Sequence, residues 1–156
     1  MKPAVELEAV SAGYGELVDG ERSFPVLRGV SLTLRSGVVA LLGPNGVGKT
    51  TLLNVALGWK RPDAGTVRID GKPVGALSGR ERGRAVALVP QAEHIAFEYT
   101  ILEYVLLGRA PYVGATRDPG LSDVAAAEAA LERVGLGEMA GRGVLERHRA
   151  GQPAAL

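Results

Sequence analysis

Gly43-Pro44-Asn45-Gly46-Val47-Gly48-Lys49-Thr50 places glycine, glycine-lysine and threonine at the spacing G-x-x-x-x-G-K-[ST]. Glycines at these positions let the backbone curl into conformations that side chains disfavour, so consecutive N–H groups turn inward toward phosphate oxygens. A lysine at the end of the loop sends an ammonium to the outer phosphates, and the following threonine offers a hydroxyl to Mg²⁺. The flanks supply context. Val38-Val39-Ala40-Leu41-Leu42 is a short, wholly apolar run, which predicts a strand covered on both faces. Thr51 to Leu57 reads as a buried helix closed by Gly58, its N-terminus presenting the positive end of the helix dipole to an anion. In a chain with 22 glycines a glycine-rich turn alone carries little. Strand, loop, Lys-Thr and helix in that order predict binding of a nucleoside triphosphate.

The composition narrows the field. A length of 156 residues suits one domain able to bury a core. Net charge is +1, which implies no strong field for a polyanion, and no nucleic-acid partner is expected. The absence of cysteine excludes disulfides and thiolate metal sites. Met1-Lys2-Pro3-Ala4-Val5-Glu6 has no apolar run of a secretory signal, and no window approaches the roughly 18 apolar residues of a membrane span. A soluble, cytoplasmic protein is the expectation.

Outward from the loop, the chain divides by pattern. Val5 to Val10 alternates apolar and charged residues as a half-exposed strand does. Gly13-Tyr14-Gly15 reads as a turn, Leu17 to Pro25 as a polar loop, and Val26 to Leu34 as a second alternating strand. After Gly58, a turn at Arg61-Pro62-Asp63-Ala64-Gly65 leads to a strand over Thr66–Ile69 and a tight turn at Asp70-Gly71. Ser78 to Arg84 is a charged stretch, and Ala85-Val86-Ala87-Leu88-Val89 predicts a second buried strand, stopped by Pro90-Gln91. Helical signals follow. Thr100 and Glu103 form a capping box for a helix through Leu107, and Ser122 is placed to cap another with Asp123 in its first turn. Leu121, Val124, Ala127, Leu131 and Val134 make one apolar stripe that Gly135 ends.

These segments, taken in order, resemble the ATP-binding subunit of ABC transporters from Ala4 to about Gly137. Val26-Leu27-Arg28-Gly29-Val30-Ser31-Leu32, the loop Gly43 to Thr51, Arg61 to Val67, Asp70-Gly71-Lys72-Pro73 and Val89-Pro90-Gln91 are each similar to a segment of that family. The resemblance implies an α/β fold of the P-loop NTPase class, with an N-terminal antiparallel β part, a Walker A core and a partial helical subdomain over about 96–140. It implies ATP and Mg²⁺ as cofactors. Tyr14, Gly43, Pro44, Asn45, Gly46, Val47, Gly48, Lys49, Thr50 and Thr51 are the implied nucleotide contacts, with Thr50 and Gln91 toward the metal. Tyr14 matches the aromatic that stacks on adenine, a platform worth about 1–3 kcal/mol. The alternative is a tyrosine at a strand end packing on the core, and Phe24 is a rival because the loop before Val26 is long. Gln91 matches the Q-loop glutamine, against the plainer reading of a glutamine turning into solvent after proline.

Ala96 to Arg109, with Leu107-Gly108-Arg109-x-Pro111-Tyr112, is similar to importers of iron–siderophore, haem, cobalamin and related metal-bearing substrates. In the family this region faces the membrane-embedded permease, the subunits form a homodimer, and the assembly lies on the inner face of the cell membrane. Tyr99, Tyr104 and Tyr112 serve equally well as anchors of a small helical subdomain.

Departures follow Gly137. The L-S-G-G-E/Q signature, the Walker B strand with its Asp, the catalytic Glu and the switch His have no match, so no catalytic residue is assigned. Leu77-Ser78-Gly79-Arg80-Glu81 looks like the signature but precedes Gln91, and neither His94 nor His148 matches the switch position. Residues 141–156 read as a divergent tail, expected to be a frameshifted or truncated end, with a short polar tail as the alternative. Three functions compete. The first is an ATP-binding subunit energising import; the second is a nucleotide-binding remnant without turnover. The third is another P-loop enzyme, disfavoured by the lack of an Asn-Lys-x-Asp guanine motif and by Tyr14 and Gln91.

Overall fold

Strands β1 (Val5–Val18), β2 (Glu21–Leu34), β3 (Ala64–Ile69) and β4 (Lys72–Pro73) form one antiparallel sheet in the order β2-β1-β3-β4. The structure is a computed structural model and describes residues 4–18, 21–91, 95, 97–114 and 117–144. It comprises two compact units, the first ending at Ala87 and the second beginning at Leu88.

In the first unit, the alternation seen in the sequence sets the face each residue takes. Leu7, Val10 and Ala12 of β1, Leu27 of β2 and Val67 and Ile69 of β3 point to one core, where helix α1 (Lys49–Ala56) contributes Val55. Val10 and Val55 are fully buried. Each is worth about 1.5–3 kcal/mol relative to an exposed side chain. The strands β1 and β2 are long because bulges absorb their irregular residues. Register breaks fall between Leu7 and Val10, Val10 and Ala12, Ala12 and Gly13, and Tyr14 and Leu17. At two of these, hydroxyls replace lost ladder bonds: the Ala9 N–H donates to Ser31 Oγ and the Gly29 N–H to Ser11 Oγ, both at 3.0 Å. The Gly13-Tyr14-Gly15 turn expected from sequence is therefore strand, and of the expected Leu17–Pro25 loop residues 17–18 and 21–25 are strand, while 19–20 lie outside the described residues. Glycine content suggested a turn, whereas pairing across the hairpin, with Tyr14 opposite Phe24, tolerates it.

The β3–β4 hairpin forms as expected. Asp70 and Gly71 both take positive φ, 49° and 75°, the requirement of a two-residue I′ turn. The charged stretch after it is helix α2 (Gly79–Ala85), whose N-cap Ser78 and Glu81 make a reciprocal capping box. The signature look-alike Leu77-Ser78-Gly79-Arg80-Glu81 is thus a helix start, built for capping.

The two apolar runs are the main correction. Residues 38–42 and 86–90 carry no regular secondary structure. Val38 and Leu42 stand 102% and 86% exposed, and Val89 92%. A wholly apolar strand needs neighbours on both edges and cover on both faces, and no strand among the described residues pairs with either run.

The second unit packs α3 (Ile101–Leu107) against α4 (Leu121–Arg133). The Thr100/Glu103 capping box is present, with Thr100 N–H to Glu103 at 2.8 Å and Glu103 N–H to Thr100 at 3.2 Å. Helix α4 starts before the expected cap Ser122: Gly120 is the N-cap, and its N–H donates to Asp123 Oδ2 at 3.1 Å. Asp123 also accepts from Arg109 Nε at 2.9 Å, which ties the turn after α3 to the first turn of α4. Of the apolar stripe, Ala127 and Leu131 are buried with Ile101, while Leu121 and Val134 are exposed. Gly135 stops the helix at φ 70°.

Candidate nucleotide-binding site

The residues Gly43 to Gly48 lead into α1 without forming a strand or helix of their own. Gly48 is the N-cap at φ 102°, ψ 9°. Its conformation disfavours any side chain, and a Cβ there would stand 2.7 Å from Val26 Cγ1. The second glycine of the motif is thus required by the packing of the loop on β2. The first intrahelical bond at this end runs from Leu52 N–H to Gly48 O, 2.8 Å. The N–H groups of Lys49, Thr50 and Thr51 come before it, at the end of the helix where donors have no intrahelical acceptor.

Lys49 Nζ donates to the carbonyl oxygens of Gly43 and Pro44, both at 2.7 Å. The ammonium therefore ties the start of the loop to its end. Two of its three donors are engaged in this way, and the third suits an anion. Thr50 is exposed at the second helical position, and Thr51 is buried. At the other end of α1, Gly58 (φ 73°) donates to Val55 O, and Trp59 and Lys60 N–H both donate to Asn54 O, closing the helix as its sequence indicated.

Tyr14 is half exposed and sits beside the helix start, its Oη 3.3 Å from Thr51 Oγ1. Lys60 Nζ lies 4.4 Å from the centre of its ring, a cation–π distance. Phe24, the rival for the same role, is 69% exposed. It lies against Gly15, where an added Cβ would meet its ring carbon Cδ2 at 3.1 Å.

Two supports of this arrangement were not singled out from sequence. Arg22 Nε donates to Asp63 Oδ1 at 2.9 Å, Arg22 Nη1 donates to Gly15 O, and the Gly13 N–H donates to Asp63 Oδ2 at 3.0 Å. The Arg22 guanidinium holds the Asp63 carboxyl below its usual range, assisted by the Gly13 N–H and by Lys60, and Asp63 raises Arg22 in return. This clamp fastens both neighbours of Tyr14 to the turn after α1. The other support is Lys60. Nothing in the spacing of Arg22, Lys60 and Asp63 announces them, because bulged pairing decides which residues meet.

Gln91 is an exposed residue in a bend of the second unit. His94, Ala96 and the tail residues 145–156, including His148, lie outside the described residues. Among the described residues no cluster of three metal-ligating side chains occurs, and no helix is long and apolar enough to cross a membrane.

An antiparallel N-terminal sheet, a glycine loop opening a helix, and a helical unit are consistent with an incomplete P-loop NTPase domain. The ABC transporter family model matches residues 27–151, and the chain belongs to that family. Among curated relatives, the hemin import ATP-binding protein HmuV of Pseudomonas entomophila is 41% identical over 125 residues, 79% of this chain and 47% of its own length. HmuV of Streptomyces coelicolor is 41% identical over 143 residues, 90% of this chain and 49% of its own. The cobalamin import ATP-binding protein BtuD of Halobacterium salinarum is 39% identical over 120 residues, 76% of this chain and 30% of its own. The chain spans about half the length of the HmuV relatives or less. Among solved structures, a putative metal-chelate type ABC transporter in an inward-facing conformation matches at TM-score 0.69 and 27% identity. It covers 92% of this chain and 50% of that one. A nucleotide-free ATP-binding cassette from an ABC transporter matches at TM-score 0.67 and 26% identity, covering 90% of this chain and 57% of its own.

Proposed function

We propose that this chain is the nucleotide-binding part of an ATP-binding subunit that energises an ABC importer for haem, cobalamin or a similar metal-bearing substrate. The observation that carries the reading is the loop itself: Lys49 clamped to Gly43 and Pro44 at the mouth of a helix whose first donors have no intrahelical acceptor. The donor set fits a triphosphate with its Mg²⁺. The backbone N–H groups of Lys49, Thr50 and Thr51 at the helix start, with the Lys49 ammonium, suit phosphate oxygens, and the exposed Thr50 hydroxyl suits the metal. Mg²⁺ supplies charge neutralisation between phosphates. Tyr14 offers the base a ring beside the helix, and the names of the relatives support the class of substrate.

Residues 1–140 are read as part of the ATP-binding domain, the helical part from about residue 96 facing the permease, and 141–156 as a divergent tail. The subunit works as a homodimer in the cytoplasm, peripheral on the membrane through that permease.

A second reading is favoured by the exposed apolar run 38–42 and by the acids of the chain. In-line hydrolysis needs a carboxylate presented beside the phosphates. None of the described acids after Gln91 follows a buried strand in this structure. By themselves, residues 1–156 therefore bind Mg-ATP without turnover. Purified protein assayed for phosphate release tests this: no release above background is expected. Steady release that Lys49→Ala abolishes would contradict it.

A further inference from the structure

We propose that Lys60 is a positioning residue for the nucleobase: its ammonium caps one face of the Tyr14 ring and leaves the opposite face as the stacking surface for a purine. The inference rests on the reading of Tyr14 as the base platform and extends it to a residue outside the phosphate loop.

Three contacts fix the ring. Its hydroxyl is held by Thr51 at 3.3 Å, on the first turn of α1. Its backbone neighbours Gly13 and Gly15 are fastened by the Asp63–Arg22 pair. Lys60 Nζ then sits 4.4 Å from the ring centre. Lys60 itself is not adrift, because its N–H donates to Asn54 O at 3.0 Å in the turn that closes α1. The phosphate loop thus leads into α1, and the ring cap comes from the turn that closes it, held to the helix by the bond from Lys60 N–H to Asn54 O.

The cap has two consequences. A cation on one face occupies it, so a flat base has one face on which to stack. The cation also draws π density toward itself, which lowers the repulsion a second π cloud meets on the far side. The ammonium thereby favours neutral purine stacking without touching the nucleotide.

The test compares Mg-ATP with Mg-tripolyphosphate, which carries the phosphates and no base. The full chain, Lys60→Met and Lys60→Arg are titrated with each ligand, followed by the fluorescence of Trp59, the single tryptophan, next to Lys60 in sequence. Lys60→Met removes the charge and keeps the stem. It should raise the Kd for ATP about two- to fivefold, leave the Kd for tripolyphosphate unchanged, and be rescued by Lys60→Arg. Unchanged tripolyphosphate binding also shows that the variant is folded. Equal losses for both ligands would overturn the proposal in favour of a general charge effect. Tighter ATP binding in Lys60→Met would overturn it by showing that the ammonium occupies the face the base needs. If the wild-type chain binds ATP no better than tripolyphosphate, the Tyr14 platform itself falls, and the cap with it. Binding of neither ligand would remove the phosphate-loop reading instead.

Discussion

Tyr14 Oη and Thr51 Oγ1 stand 3.3 Å apart, joining the bulged hairpin to the first turn of the helix that follows the glycine loop. The contact sets an aromatic ring beside the place where phosphates are expected. It also separates two tyrosine roles, the hydroxyl as a strut and the ring as a platform.

Those roles predict different losses. Tyr14→Ala should weaken ATP binding by about 1–3 kcal/mol, the worth of a base-stacking ring. Tyr14→Phe keeps the ring and should cost well under half of that. Phe24→Ala should change little, since Phe24 lies along the hairpin against Gly15. Calorimetric titration of the three variants checks the order, and a larger loss at Phe24 would transfer the platform to that residue.

The Arg22–Asp63 pair predicts a pH dependence. Arg22 depresses the Asp63 carboxyl in the folded chain. A depressed acid contributes stability that is present above its unfolded pKa, about 3.9, and is lost as pH falls through the lower folded value. The melting temperature of wild type should exceed that of Asp63→Asn at about pH 6, and the gap should close toward about pH 3. A gap that persists or widens in acid would contradict the clamp.

The capping box of α3 predicts a local loss. Thr100→Ala removes the acceptor of the Glu103 N–H and should cost about 1 kcal/mol. Thr100→Ser should recover most of it. Chemical denaturation followed by circular dichroism measures both.

The exposed run 38–42 predicts tolerance where the sequence argues for sensitivity. Val38→Lys or Leu42→Lys in a buried strand would cost several kcal/mol. With both side chains on the surface of this structure, each should change stability by less than about 0.5 kcal/mol. Each should also reduce association, because an apolar segment without a strand partner is an aggregation site. Light scattering alongside denaturation distinguishes the two cases.

What the sequence made legible was local. The I′ turn at Asp70-Gly71, the Thr100/Glu103 box, the αL residues Gly48 and Gly58 and the 5–10 strand each follow from neighbours within a few residues. Apart from the cap of α4, which is Gly120 and not Ser122, the failures were non-local. Val38–Leu42 and Ala85–Val89 have the composition of buried strands, but burial depends on what lies alongside, and composition says nothing of that. Gly13 and Gly15 suggested a turn, yet cross-strand pairing, with Gly13 opposite Pro25 and Tyr14 opposite Phe24, and the bonds of the two glycines to Asp63 and Arg22 keep them in a bulged strand. At the candidate site, the loop was readable because its spacing is itself the geometry. Arg22, Lys60 and Asp63 were not, because they meet only where the bulged hairpin is brought against the turn after α1.

The central claim is that Gly43–Thr50 binds a nucleoside triphosphate through Lys49, and a thermal melt with Mg-ATP tests it most directly. At a hundred times its dissociation constant, Mg-ATP should stabilise the wild-type chain by about 2.7 kcal/mol. Lys49→Ala should weaken the site by about 1.5–3 kcal/mol and lose most of that shift. A shift of equal size in wild type and Lys49→Ala, or none in wild type, would contradict the account.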